Sequence, residues 1–79
     1  MTKVKVQNWK KEIRDFSNEI ASNCRRVNQL KDVIVETALR EDYEALPALV
    51  KEIKALRERR VWLQTACANR RELIREKAN

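Results

Sequence analysis

The sequence predicts an all-α protein: an antiparallel two-helix hairpin, coiled-coil-like, that dimerises into a four-helix assembly. Three observations carry this prediction. The 79 residues include no Gly and one Pro, and turns with positive φ favour Gly. Apolar residues recur at alternating spacings of three and four, which indicates long helices that each bury one narrow stripe against a partner helix. A single break, at about residues 41–46, divides this pattern in two.

The first helix is predicted over about residues 7–40. Asn8 is the expected N-cap residue, and Thr2 is an alternative start. We use the word seam for the heptad positions that would face a partner helix. The seam of the first helix comprises Val6, Trp9, Ile13, Phe16, Ile20, Asn23, Val27, Leu30, Ile34 and Thr37. Asn23 is polar at such a position, which either fixes the register or marks a point where the seam is open to solvent.

The second helix is predicted from about residue 43, or from Pro47, to about residue 77. Asp42 can cap the earlier start, which we favour. Pro47 suits the first turn of a helix because it lacks a backbone N–H. The seam of this helix comprises Leu46, Leu49, Ile53, Leu56, Arg60, Leu63, Cys67, Arg70 and Ile74. A short turn between two long helices predicts an antiparallel hairpin.

Matching the two seams predicts their register. Facing residues of an antiparallel hairpin have numbers with a constant sum, and a sum of 90 centres the turn near residue 45. The facing pairs would include Asn23 with Cys67, Leu30 with Arg60, and Ile20 with Arg70. The alternative is a parallel coiled coil between chains, in which the break at residues 41–47 is a kink.

A second copy of the chain is expected because a domain this small buries only about 60% of its unfolded surface. Apolar residues outside the seams, Trp62 above all, would be covered by a second hairpin. The alternative is that Trp62 lies flat on its own helix and is covered by arginine side chains.

Charge is unevenly distributed along the chain, which carries a net charge of +6. Residues 1–14 hold five positive and one negative charge, and residues 57–77 hold seven positive and three negative. Residues 32–52 hold two positive and six negative charges. A hairpin would therefore have a basic open end and an acidic turn end.

The residue types that enzymes need are scarce in this chain. The absence of His and Gly removes the commonest acid–base group and metal ligand and the Gly-rich phosphate loops. We therefore expect no catalytic site, no cofactor and no metal. The predicted register brings Cys24 and Cys67 close together. We expect two reduced, buried thiols, with a redox-sensitive disulfide or half of a metal site across a dimer as the alternative.

The chain also lacks an apolar segment that could cross a membrane. Its N-terminal residues have no apolar core of the kind found in signal peptides. We therefore expect a cytoplasmic protein without a membrane partner.

Two functions fit these features. The favoured one is a non-enzymatic protein–protein interaction module, namely an adaptor, chaperone or inhibitor that regulates an unidentified protein. Trp and Arg are enriched at interaction hot spots, so the candidate contacts are Trp9, Trp62, Arg57, Arg59, Arg60, Arg70 and Arg71. The alternative is a nucleic-acid-binding regulator that uses the basic open end.

Overall fold

In a computed structural model, the chain forms two long helices joined by a short turn. The structure describes the backbone of residues 2–78 and the side chains of residues 3–77. Helix α1 spans Thr2–Leu39 and helix α2 spans Leu46–Ala78. The molecule measures 58 × 15 × 14 Å, which is about the length of α1 alone at roughly 1.5 Å per residue. The two helices lie side by side, so the predicted all-α hairpin is confirmed and the kinked parallel coiled coil is wrong.

Both helices begin at positions other than the favoured ones. Helix α1 begins at Thr2, the alternative start, so Asn8 lies inside the helix and is not its N-cap. Helix α2 begins at Leu46, so it includes neither Tyr43 nor an N-cap at Asp42. Pro47 lies in the first turn of α2, where a backbone N–H would have no partner within the helix. Neither helix has, within the described residues, an apolar stretch long enough to cross a membrane.

Helix α1 ends in a Schellman motif. The Asp42 N–H donates to the Thr37 carbonyl at 3.1 Å, and the Glu41 N–H donates to the Ala38 carbonyl at 3.0 Å. These are the two hydrogen bonds that define the motif. Glu41 has a φ of 61°, in the left-handed region that Gly usually occupies. This conformation costs a non-Gly residue roughly 1–2 kcal/mol.

The core of the hairpin is the interface between the two seams. Every seam position of both helices is buried or half-buried. The most fully buried residues are Asn23, Val27, Leu30 and Thr37 of α1 and Leu63 and Cys67 of α2. Full burial of a Val or Leu side chain contributes about 1.5–3 kcal/mol, so a few aliphatic side chains provide most of the packing energy.

The register of the hairpin differs from the predicted one by about three helical turns. Asn23 contacts the backbone carbonyl of Leu56 instead of Cys67. Cys67 lies against α1 much nearer its N-terminus, with its Sγ 4.0 Å from the Ile13 carbonyl oxygen. The facing pairs predicted from a sum of 90 are therefore wrong, including Leu30 with Arg60.

The error in register has a simple cause. The connection between the helices comprises residues 40–45, so its centre lies before residue 45. In addition, when one helix is shifted along the other by about seven or eleven residues, the apolar residues of the two seams still face one another, because their spacing alternates between three and four. The spacing of apolar residues therefore defines the facing surfaces but not their register.

Candidate protein-interaction surface

One side of the hairpin carries two aromatic rings next to an ion pair. Trp62 of α2 packs edge-to-face on Phe16 of α1, with ring centroids 5.8 Å apart and ring planes at 77°. The guanidinium carbon of Arg59 lies 4.6 Å from the centroid of the Trp62 ring. Arg59 also forms a salt bridge with Glu19 of α1. We call these four residues the Trp62 cluster.

Helical spacing explains how the cluster forms. Arg59 and Trp62 are three residues apart in α2, and Phe16 and Glu19 are three residues apart in α1. Residues at this spacing lie on adjacent turns of the same side of a helix. Because the helices are antiparallel, the two pairs meet in opposite order, and each side chain of α2 has one partner in α1.

The ion pair orients the arginine of the cluster. Arg59 Nε donates to Glu19 Oε2 at 2.7 Å, and Arg59 Nη2 donates to Glu19 Oε1 at 3.1 Å. These hydrogen bonds lower the pKa of Glu19 and raise the pKa of Arg59. Both side chains are about half exposed, so the pair contributes little to stability in water. Its main effect is to hold the guanidinium over the Trp62 ring.

Trp62 itself keeps 53% of its surface exposed. The arginine cover that we considered for this ring is present in part, since Arg59 lies over one face. The ring also packs on Phe16 of the other helix, which sequence reasoning did not predict. Side chains that are already ordered lose less entropy on binding, and exposed Trp beside Arg is typical of interaction hot spots. The cluster is therefore a preformed candidate contact.

Three ion pairs between the helices lie along the same side of the hairpin as this cluster: Arg26–Glu52, Arg59–Glu19 and Arg70–Glu12. Their members in α2 are at positions 52, 59 and 70, which are seven and eleven residues apart. Seven and eleven residues make about two and three helical turns, so all three positions lie on one side of the helix. We call this side the ion-paired edge. Two predicted contact residues, Arg59 and Arg70, are thus engaged within the hairpin. Their acidic partners were missed because the predicted register placed other residues opposite them.

The remaining predicted contact residues lie outside the cluster. Arg60 is half-buried, and its Nη1 lies 3.5 Å from Cys24 Sγ. Trp9 is half-buried at a seam position near the open end. Arg57 and Arg71 are exposed, and neither forms a salt bridge within the part of the chain that the structure describes. These two residues are the exposed, unengaged cations of the predicted set.

The opposite side of α2 has an apolar groove with a volume of about 460 Å³. It is lined by Val50, Ile53, Lys54, Arg57, Glu58 and Val61. Val50 and Val61 are 54% and 60% exposed. Residues two positions apart point in nearly opposite directions on a helix, so positions 50 and 57 lie opposite positions 52 and 59. We call this side the open edge, because no ion pair between described residues crosses the helices there.

The two cysteines do not meet in this register. Cys67 is level with Ile13, whereas Cys24 lies about three turns, roughly 16 Å, further along α1. A disulfide requires Cα atoms about 4.4–6.8 Å apart. Both thiols are free, and an internal disulfide between them does not fit the fold. Among the described residues, no group of three His, Cys, Asp or Glu side chains is arranged to hold a metal ion.

The fold and its surface define a small two-helix protein with an ion-paired edge on one side and an open apolar edge on the other. In comparisons with protein-family models, curated proteins and solved structures, the chain matches none of them.

Proposed function

We propose that this protein is a non-enzymatic protein–protein interaction module, a self-associating hairpin that presents the Trp62 cluster to a larger protein and regulates it. The observation that carries the proposal is that the Trp62 side chain is ordered but only partly covered. Its ring is held by Phe16 and Arg59, yet it is 53% exposed. A large apolar ring that is ordered but only partly covered has the properties of a binding residue.

The neighbours of Trp62 in α2 support contact with a helix of the partner. Ala55 lies about two turns before Trp62, and Ala66 lies about one turn after it. Small side chains allow two helices to approach closely. The cluster therefore offers one large side chain, Trp62, between positions with small side chains.

The exposed area supports self-association. The hairpin exposes 6318 Å², whereas a compact monomer of 9.4 kDa exposes roughly 5000 Å². The excess, roughly 1300 Å², is larger than the area of about 800 Å² that each partner contributes to an interface of standard size. A second chain would bring the exposed area of each hairpin closer to that of an ordinary globular protein.

Affinity capture with matched variants tests the partner surface. We expect the intact chain to retain a partner from a lysate of its native cell, and Trp62→Ala to lose that partner without losing helical content. Tyr43→Ala is the control, because Tyr43 is also an exposed aromatic residue but lies in the turn. Retention of the same partner by Trp62→Ala would refute the role of the cluster.

Nucleic-acid binding at the open end is the second candidate. The antiparallel helices bring residues 3–14 beside residues 66–77, and the two segments carry excesses of four and two positive charges. Arg70 and Arg75, however, are already engaged by carboxylates, which reduces the charge available to phosphates.

Salt dependence tests this second candidate. Nucleic-acid binding at the open end should be retained at low salt and should fall steeply as salt rises. Arg71→Glu should weaken it, because Arg71 is exposed and forms no salt bridge within the described residues. Failure to bind duplex or single-stranded nucleic acid at low salt would exclude this function.

A further inference from the structure

We infer that a second copy of the chain docks on the open edge of α2. The two copies are related by a two-fold axis that crosses this edge at the level of residue 56. The inference rests on the proposed self-association and specifies the surface that carries it. The groove on this edge lies between two exposed valines, Val50 and Val61, and has charged residues at its centre.

The residues of this stripe are complementary to themselves. A two-fold dimer uses the same patch on both chains, so the patch must match its own reversed copy. When two α2 helices lie antiparallel around residue 56, Val50 of each copy lies against Val61 of the other. Lys54 of each copy lies against Glu58 of the other. One stripe therefore forms two apolar contacts and two pairs of opposite charge.

The same arrangement matches charges further from the axis. It brings the acidic connection of each chain, with Glu41 and Asp42, level with Arg71 of the second copy. Glu41 and Asp42 are exposed, as is Arg71. Arg71 forms no salt bridge within the described part of its own chain. Complementary charges of this kind favour one orientation over the others.

The ion-paired edge is a poorer surface for self-association. Docking there would remove three charged pairs from water, namely Arg26–Glu52, Arg59–Glu19 and Arg70–Glu12. The cost of desolvating ion pairs often exceeds the attraction between their charges. On the open edge no ion pair between described residues crosses the helices, so docking there removes no such pair from water. The Trp62 cluster on the other side is left accessible to a different protein.

Charge reversal tests this arrangement in the 79-residue chain. Lys54→Glu and Glu58→Lys each convert two attractive contacts into repulsive ones, and we expect each to weaken dimerisation about tenfold in sedimentation equilibrium. The double variant, Lys54→Glu with Glu58→Lys, restores opposite charges and should dimerise within about threefold of the unaltered chain. Both substituted positions are exposed, and circular dichroism checks that each of the three variants stays helical.

Lys5→Glu is the control, since it makes the same change in charge at an exposed site near the open end, outside the docked region. Its dimerisation should equal that of the unaltered chain. A dimeric chain in which neither single reversal weakens dimerisation would place the interface elsewhere and overturn this inference alone. The same holds if the double variant is no better than the single ones. An unaltered chain that is monomeric at all concentrations would overturn both this inference and the proposed self-association.

Discussion

The side-chain amide of Asn23 donates a hydrogen bond to the backbone carbonyl of Leu56, 2.7 Å away across the hairpin. Asn23 is 5% exposed, so its seam position is not open to solvent. Its Oδ1 has no hydrogen-bond partner among the described residues. The side chain therefore links one point of α1 to one point of α2 while leaving a buried acceptor unsatisfied, as expected of a polar residue that selects a register.

Replacement of Asn23 by Leu, which has nearly the same shape, should stabilise the hairpin by about 1–2 kcal/mol, because it removes the unpaired acceptor. Urea denaturation measures this change. Asn28→Leu is the control at an exposed position of the same helix, and its effect should stay within about 0.5 kcal/mol. Lower stability of Asn23→Leu would show that the bond to Leu56 outweighs the unsatisfied oxygen.

Glu41→Gly should also stabilise the fold. Gly adopts the φ of 61° found at Glu41 without steric cost. The greater freedom of Gly in the unfolded chain offsets part of the gain, so we expect about 0.5–1 kcal/mol of net stabilisation. Thermal unfolding of this variant is compared with that of Glu44→Gly, at a neighbouring turn position with negative φ. The account is wrong if the two changes have the same effect.

The ion pair of the Trp62 cluster predicts a specific response to acid. Hydrogen bonds from Arg59 lower the pKa of Glu19 in the folded chain below its usual value of 4.5. The contribution of the pair is therefore fully present above about pH 4.5 and is lost as the pH falls through the lower, folded-state pKa. The difference in urea midpoint between the natural chain and Glu19→Gln should be constant near neutral pH and vanish in acid.

The control for this measurement is Glu76→Gln, at an exposed position without an ion pair in the described part of the chain. Its midpoint should follow that of the natural chain at every pH. A difference for Glu19→Gln that persists unchanged in strong acid would exclude the ion pair as its source.

Oxidation of the natural chain tests the register. Cys24 and Cys67 lie about three turns apart, so a thiol oxidant should form no disulfide within one chain. Mass spectrometry after blocking of free thiols should find both cysteines alkylated in the monomer fraction. An internal disulfide formed in good yield would support the register with Asn23 opposite Cys67 and contradict the structure.

The long-range outline of the fold follows from the sequence because it depends on a repeated pattern. The alternating spacing in Val6–Thr37 and its counterpart in α2 defines two helices and their facing sides. Individual contacts depend on register, and a repeating seam does not determine register. The position of the turn determines the register. The left-handed conformation of Glu41, which ends α1, could not be predicted from the sequence because the residue is not a Gly.

The candidate surface could be predicted only in part for the same reason. Composition and helical position single out Trp62 and Arg59 as exposed residues of binding type. Their partners Phe16 and Glu19 become visible only once the register is known, since they lie on the other helix. Val50 and Val61 are among the apolar residues outside the seams that a second hairpin was expected to cover, but their shared groove was not predicted, because they are eleven residues apart.

Small-angle X-ray scattering of the unaltered chain tests most directly the claim that two hairpins form the working unit. At tens of micromolar, we expect a mass of two chains of 9.4 kDa. Because the axis near residue 56 staggers the hairpins, the maximum dimension should reach about 70 Å, compared with 58 Å for one hairpin. A mass of one chain, with a dimension near that of the single hairpin, would contradict the account.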